Sequence, residues 1–416
     1  MLDIISEVKK SSPKVAELIK LEQDRQNKNI ELIASENYPS DAVKAAMASC
    51  FTAKYAEGYA SIREDGLGNS GRYYGGCDNV DLLEEYCCSL YRKLFNTNYH
   101  VNVQPHSGSQ ANEAAYAALI KPGDIVLGLN LNNGGHLTHG AGANFSGKLY
   151  KSVFYGVDSN GLIDLNDIVD KMKFYLPNIV VVGASAYPRI IDFKSIREIF
   201  DSTIDYINKN IDENYSPYLM VDMAHIAGLV ATDNHLTPFG YADIITTTTH
   251  KTLRGPRGGV IFCKPELAKK VDSAVFPCTQ GGPLEHIIAA KAVAAEEALR
   301  PEFKLYINQV IKNTKAMANR FNELGYELTT AGTDNHLFLI DFSNTHPAIT
   351  GKMVQDECDK HNITLNKNCV PNEKRSPKET SGVRIGCAAM TTKGWNENDA
   401  IDCANNIDKI IKNLNK

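Results

Sequence analysis

No CxxC pair occurs among the 10 cysteines of this 416-residue chain. They are scattered, with only Cys87 and Cys88 adjacent, and read as reduced, mostly buried thiols of a cytoplasmic protein. Basic runs are missing too. No block of five or six Lys or Arg appears, and the net charge is -5, which argues against a nucleic-acid partner. No apolar run approaches the roughly 18 residues that cross a bilayer, so no membrane span is expected. The stretch Met1–Lys10 has acidic residues and no apolar h-region, unlike a secretory signal. Internal repeats and low-complexity segments are also absent.

What is present is ordinary globular composition, 43% hydrophobic and 22% charged. A chain of this length exceeds one core, so more than one domain is expected. Residues 1–40 read as an N-terminal arm, 41–298 as a large domain and 299–416 as a smaller α+β domain. In the large domain the strands are near-continuous apolar runs, as in Asn178-Ile-Val-Val-Val-Gly183 and Pro217-Tyr-Leu-Met-Val-Asp222. Runs of this kind, alternating with helices, predict a mainly parallel sheet covered on both faces. After Leu299 the pattern changes. A long helix from Arg300 to Leu324 precedes short strands at 326–330, 335–341 and 380–386, and a last helix begins near Asn396.

The most informative stretch is Ala242-Asp-Ile-Ile-Thr-Thr-Thr-Thr-His-Lys251, followed by Thr-Leu-Arg-Gly-Pro-Arg-Gly-Gly259. It predicts a strand with Lys251 where it stops, a sharp Gly/Pro turn, and a returning strand at Val260–Cys263. A lysine fixed at a strand end, with its pKa lowered, suits Schiff-base chemistry; a solvated surface lysine is the plainer alternative. Asp222 ends its own strand, where open α/β sheets place their ligands, or else caps a helix. Val101–Ala115 runs from a short strand through Ser107-Gly108-Ser109 into an Ala-rich helix. The free N–H groups of that helix start, beside two hydroxyls, make a phosphate cradle. His136 and His139 raise the question of a metal, but no third ligand of suitable spacing accompanies them, and none is expected. His136 instead suits stacking on a planar ring. Arg384, between Val383 and Ile385 on a strand, suits a carboxylate or a salt bridge. Together these groups match the needs of pyridoxal 5'-phosphate acting on an amino acid.

From about residue 10 onward the chain also resembles the serine hydroxymethyltransferases, fold-type I pyridoxal-phosphate enzymes with an aspartate-aminotransferase-like α/β fold. The resemblance is carried by ELIASEN (31–37), KYAEGY (54–59), RYYGGC (72–77), NVQPHSGSQAN (102–112), GGHLTHG (134–140), VDMAHIAGLVA (221–231), TTTTHKTLRGPRGG (246–259), QGGP (280–283) and TDNHLFL (333–339). It implies reversible transfer of a one-carbon unit from serine to tetrahydrofolate, giving glycine and 5,10-methylenetetrahydrofolate. It also implies roles. Lys251 would bind the cofactor covalently, Asp222 would pair with its pyridine nitrogen, and His136 would stack on the ring. Ser107, Gly108 and Ser109 would hold the phosphate, with Gly281 and Gly282 from a neighbouring subunit, while Ser185 and His225 would touch ring substituents. Ser35 and Arg384 would bind the amino acid, and Glu57 would be the acid/base. Tyr55 and Tyr74 would line the site across a homodimer or tetramer, Tyr55 touching the cofactor. Leu131, Gly135, Leu137 and Asn368 would contact folate.

The chain departs from the family pattern in several places. Ala60–Ser70 expands a link that is usually very short and reads as an exposed loop, and Asn208–Ser216 is a second expansion. Cys278-Thr279 and Cys387-Ala388-Ala389 replace glycine-rich and proline-containing versions. A folate-independent threonine aldolase, or a non-catalytic binding protein on the same scaffold, would be the competing readings; Glu57 and the folate-lining segments argue against the first.

Overall fold

The computed structural model describes residues 4–60 and 71–414. The expectation of an exposed loop over 60–70 therefore falls, beyond Ala60, outside the described residues. At the centre is a sheet of seven strands: β1 (His100–Asn102), β2 (Ile125–Leu129), β3 (Lys151–Tyr155), β4 (Ile179–Val182), β5 (Tyr218–Asp222), β6 (Ile244–Thr248) and β7 (Gly259–Cys263). Their order is β1-β7-β6-β5-β4-β2-β3. The pairs β2–β3, β2–β4, β4–β5 and β5–β6 are parallel. Strand β7 runs antiparallel to both β6 and β1.

The apolar runs behave as a two-sided sheet should. Successive side chains point to opposite faces, so Val180, Val182, Leu219 and Val221 enter one buried cluster while Ile179, Val181 and Met220 enter another. Parallel strands finish at the same edge, which brings Asp222 and the residues after β4 and β6 together. The approach there is close. Gly183, at φ 143°, sits so near that a Cβ would stand 2.1 Å from the Asp222 carbonyl oxygen.

A second sheet is wholly antiparallel. It contains β8 (Glu327–Leu328), β9 (Leu337–Asp341), β10 (Asn366–Asn368) and β11 (Gly382–Gly386), in the order β8-β9-β11-β10. Strand β8 is shorter than the expected 326–330 because the chain turns at Ala331, whose φ is 56°. Helices Pro301–Glu323 and Glu397–Leu414 supply Met317, Phe321, Ile407 and Ile411 to the core behind this sheet, against Phe338 and Ile340.

At the start of the chain, helices Ile4–Ser11 and Pro13–Lys28 bury Ala16 alone. The following residues behave differently. Ile30–Glu31 pairs in parallel with Ile363–Thr364, and Leu32 enters the core of the second sheet. The 208–216 expansion continues helix Phe193–Asn210 and is pinned by Tyr215, whose hydroxyl donates to the Pro177 carbonyl at 2.8 Å. All ten cysteines are free thiols. Among the described residues no helix is long and apolar enough to cross a membrane.

Candidate active site

Strand β6 ends at Thr248, and Thr249 and His250 carry the chain into the turn that holds Lys251. The lysine thus lies just past the strand rather than on its last residue. The reversal into β7 demands this: Thr249 donates to Gly258 at 3.2 Å and accepts from Gly255 at 2.7 Å, closing the turn around Lys251. The amine is buried, and that burial lowers it to about 8; the Asp222 charge opposes the shift, and Arg384 and Arg257 add to it. Its carbonyl accepts from Asn37 Nδ2 at 2.9 Å. The same amide donates to Tyr306 Oη at 2.7 Å, and its Oδ1 accepts from Thr392 Oγ1 at 2.7 Å.

Asp222 is held as a carboxylate. Burial would raise it, but hydrogen bonds from His139 Nε2 at 3.1 Å and Asn112 Nδ2 at 2.9 Å, both to Oδ2, hold it well below the ordinary range. Its Oδ1 accepts from the Ala224 amide at 3.0 Å. His136 and His139 bracket one turn of 3-10 helix, each ring closing it: Thr138 N donates to His136 Nδ1, and His136 N donates to His139 Nδ1. Burial and the neighbouring His139 lower His136 to about 4, so its ring is neutral.

One expectation is corrected here. The fold brings Asp222 to the two histidines as a third potential metal ligand, with ligand atoms within 4.8 Å of one another. Sequence spacing could not reveal it, because Asp222 arrives on a distant strand. Both Nδ1 atoms and Oδ2 are nevertheless engaged in the hydrogen bonds just described.

Ser107 caps the helix Gly108–Leu119, its Oγ accepting from Gln110 N at 3.2 Å. A Cβ at Gly108 would stand 2.5 Å from Thr248 Cγ2, so the helix start can lie against β6 only with glycine there. Arg384, on β11, donates from Nε to Asn366 Oδ1 at 3.1 Å and from Nη1 to the Ser185 carbonyl at 2.7 Å. Burial lowers the guanidinium to about 10, which leaves it cationic at neutral pH. His225 and His336 share a proton between Nδ1 and Nε2 at 3.2 Å. Burial, helped by Lys251 and Arg384, keeps both rings neutral.

A cavity of about 330 Å³ joins these groups. Ser35, Ser107, Gly108, Ser109 and His136 line it, as do Ser185, Asp222, His225, Lys251 and Arg384. Its chemistry fits pyridoxal phosphate: hydroxyls and a helix start at one side, a carboxylate, a lowered amine and a guanidinium at the others. His250, also in the lining, has a buried Nδ1 with no hydrogen-bond partner among the described residues, as expected of a site shaped for a polar ligand.

Other expected residues lie elsewhere. Glu57, Tyr55, Tyr74, Gly281 and Gly282 form a separate group at the surface and are absent from the Lys251 cavity of the same chain. Cβ atoms on Gly281 and Gly282 would stand 3.2 Å from Glu57 Oε1 and 3.3 Å from the Tyr55 ring. Tyr74 meets Tyr55 edge-on at 5.1 Å, and Tyr55 is 56% exposed. The short hairpin Gly58–Tyr59 with Gly71–Arg72 fixes this group, buried Arg72 donating to the Gly58 carbonyl at 2.8 Å. Leu131 and Leu137, both exposed, sit on 3-10 turns either side of Gly134-Gly135, and a Cβ at Gly135 would strike the Leu129 carbonyl. Asn368 ends β10 and donates to its neighbour Cys369's carbonyl at 2.7 Å; it is Asn366 that touches Arg384.

Sequence reasoning did not single out Asn112, His250, Asn366 or His336. Asn112 had a usable signal, since it lies four residues after Gly108 on a helix and so faces the same way. His336 had none before the second sheet was placed. The model of the serine hydroxymethyltransferase family matches residues 8–407 of this chain. With the site's chemistry and that match in agreement, the chain belongs to the serine hydroxymethyltransferase family, pyridoxal-phosphate enzymes that move a one-carbon unit between serine and tetrahydrofolate.

Proposed function

We propose that the Lys251 cavity is where this transfer occurs, and that it is completed by the Glu57 group of a second copy of the chain. The observation carrying the reading is the meeting of a lowered lysine, an ionised aspartate, a helix-start cradle and a cationic arginine in one cavity. Pyridoxal phosphate, when bound, supplies a conjugated ring that accepts the electron pair left on the amino acid's α-carbon. The chain's own residues do the rest. Lys251 would hold the cofactor through its lowered amine. Asp222, kept anionic, would favour a proton on the cofactor's pyridine nitrogen. Ser107, Gly108 and Ser109 take the phosphate, with Gly281 and Gly282 of the second copy. His136 would hold the ring, with Ser185 and His225 at its substituents. Arg384 and Ser35 bind the substrate carboxylate. Glu57 of the second copy moves the proton at the hydroxymethyl oxygen, with Tyr55 and Tyr74 beside it. Leu131 and Leu137 offer exposed apolar contacts for the pterin, with Gly135 and Asn368 nearby.

The same reading divides the chain into an arm (1–40), a large domain (41–298) and a small domain (299–416), active as a homodimer or tetramer in the cytoplasm. The decisive assay is glycine formation from serine by the purified, cofactor-loaded protein with and without tetrahydrofolate. Strong dependence on tetrahydrofolate is expected. Cleavage of 3-hydroxy amino acids at an equal rate in its absence would favour an aldolase instead.

A further inference from the structure

Lys291 lies on the helix Glu285–Ala298, outside the cavity, and is 1% exposed. Lysines are seldom buried to this degree without compensation. Here its hydrogen-bond partners are all backbone carbonyls, and the nearby Glu84 and Glu285 carboxyl groups also favour its charge. The ammonium donates to the carbonyls of Val103 at 2.6 Å, Pro105 at 3.0 Å and Gly259 at 2.8 Å, which uses all its donors. Val103 and Pro105 belong to the segment that delivers Ser107, Gly108 and Ser109. Gly259 opens β7, directly after the turn that holds Lys251, and its amide donates to the Pro105 carbonyl at 3.0 Å. A Cβ at Gly259 would stand 2.4 Å from the Ser107 carbonyl, so the cradle rests against this strand.

Gln280 holds the alternate groups of the same segment. Its Nε2 donates to the Gln104 carbonyl at 3.0 Å, and its Oε1 accepts from the His106 amide at 3.0 Å. Consecutive polar groups from Val103 to His106 are thereby fixed from two sides, and Pro105 has no N–H to satisfy. Burial lowers the Lys291 amine to about 8, so it is mostly charged at neutral pH.

We propose that Lys291 is a positioning residue for the cofactor's phosphate: its buried ammonium clamps the cradle to the Lys251 hairpin and places one positive charge beneath the anion. The proposal rests on the reading of Ser107–Ser109 as the phosphate site. It needs no contact between Lys291 and the cofactor. A lysine that merely filled the core would leave phosphate recognition untouched.

The test separates phosphate from ring. Full-length protein stripped of cofactor is titrated with 4'-deoxypyridoxine 5'-phosphate, which has a methyl in place of the aldehyde and cannot bond to Lys251, and with unphosphorylated 4-deoxypyridoxine. The parent should prefer the phosphorylated probe; no preference would mean that the reading of the cradle is wrong, and the proposal falls with it. If the parent shows the preference, Lys291→Met should weaken the phosphorylated probe at least about tenfold, the size expected for charge-assisted hydrogen bonds, while changing the other less than about twofold. Lys291→Ala should behave alike, and n-propylammonium, which replaces the atoms removed, should restore tight binding. Folded variants with an unchanged preference, or an equal loss for both probes, would overturn the proposal. So would failure of both variants to fold even with n-propylammonium, since Lys291 would then be a core element alone.

Discussion

His139 donates from Nε2 to Asp222 Oδ2 at 3.1 Å while its Nδ1 accepts from the His136 amide. An accepting Nδ1 places the ring proton on Nε2, so the imidazole is fixed in one tautomer and can only donate to the carboxylate. Asp222 therefore keeps a fixed donor on Oδ2, beside the one from Asn112. An amide there would lose the charge and could turn its own N–H groups against that donor. Asp222→Asn should keep the fold and bind cofactor but lose at least about a hundredfold in turnover, roughly 3 kcal/mol. Steady-state kinetics on the loaded variant would check it, and activity within about threefold of the parent would reduce Asp222 to a cap.

Lys251→Ala should abolish serine cleavage and covalent capture while leaving the cofactor bound by its phosphate and ring. Borohydride treatment followed by mass spectrometry should find cofactor fixed to the parent and not to the variant. Near-normal cleavage by the variant would remove Lys251 from the chemistry.

Burial brings the Lys251 amine down to about 8. Only its neutral form attacks a carbonyl. Covalent loading of the cofactor-free protein should accelerate about tenfold per pH unit below that value and level off above it. Stopped-flow absorbance would follow it. A rate still climbing beyond about pH 10 would show an ordinary, unshifted lysine.

Glu57 and Lys251 belong to different clusters of one chain, so the proposed site needs two chains. Lys251→Ala and Glu57→Gln proteins, each inactive alone, should recover about a quarter of parental activity when dissociated together and reassembled. Half of the random dimers are then hybrids with one intact site. No recovery, although mixed dimers form, would place both residues in the same chain's site.

The sequence made some of this legible and hid the rest for physical reasons. Strands β4 and β5 were visible because a two-sided sheet buries every residue of an apolar run. Lys251, Asp222 and the Ser107–Ser109 cradle were visible because strand ends and helix starts carry local signals. His336 and Asn366 were not, since each acts through a partner, His225 or Arg384, that only tertiary packing supplies. That Glu57 serves a site shared between subunits was expected only from the resemblance, because its motif by itself reads the same in either geometry. Strand β8 shrank where the chain turns at Ala331, a residue of positive φ that is neither Gly nor Asn.

The Asn37 bridge has a consequence for how the protein is made. Its amide ties the Lys251 carbonyl to Tyr306 and Thr392, and the neighbouring Leu32 carbonyl accepts from the Gly386 amide at 2.9 Å. On the ribosome, Asn37 emerges early and must wait while most of the chain is synthesised before Gly386 and Thr392 appear. The large sheet can form in the meantime, since domains fold as units during translation. The wall of the cavity that Ser35 and Arg384 build cannot. If Ser35 and Arg384 hold the amino acid as proposed, a nascent chain would bind none until the second sheet is synthesised, and a chain cut short before Gly386 would carry Lys251 in a site that never closes.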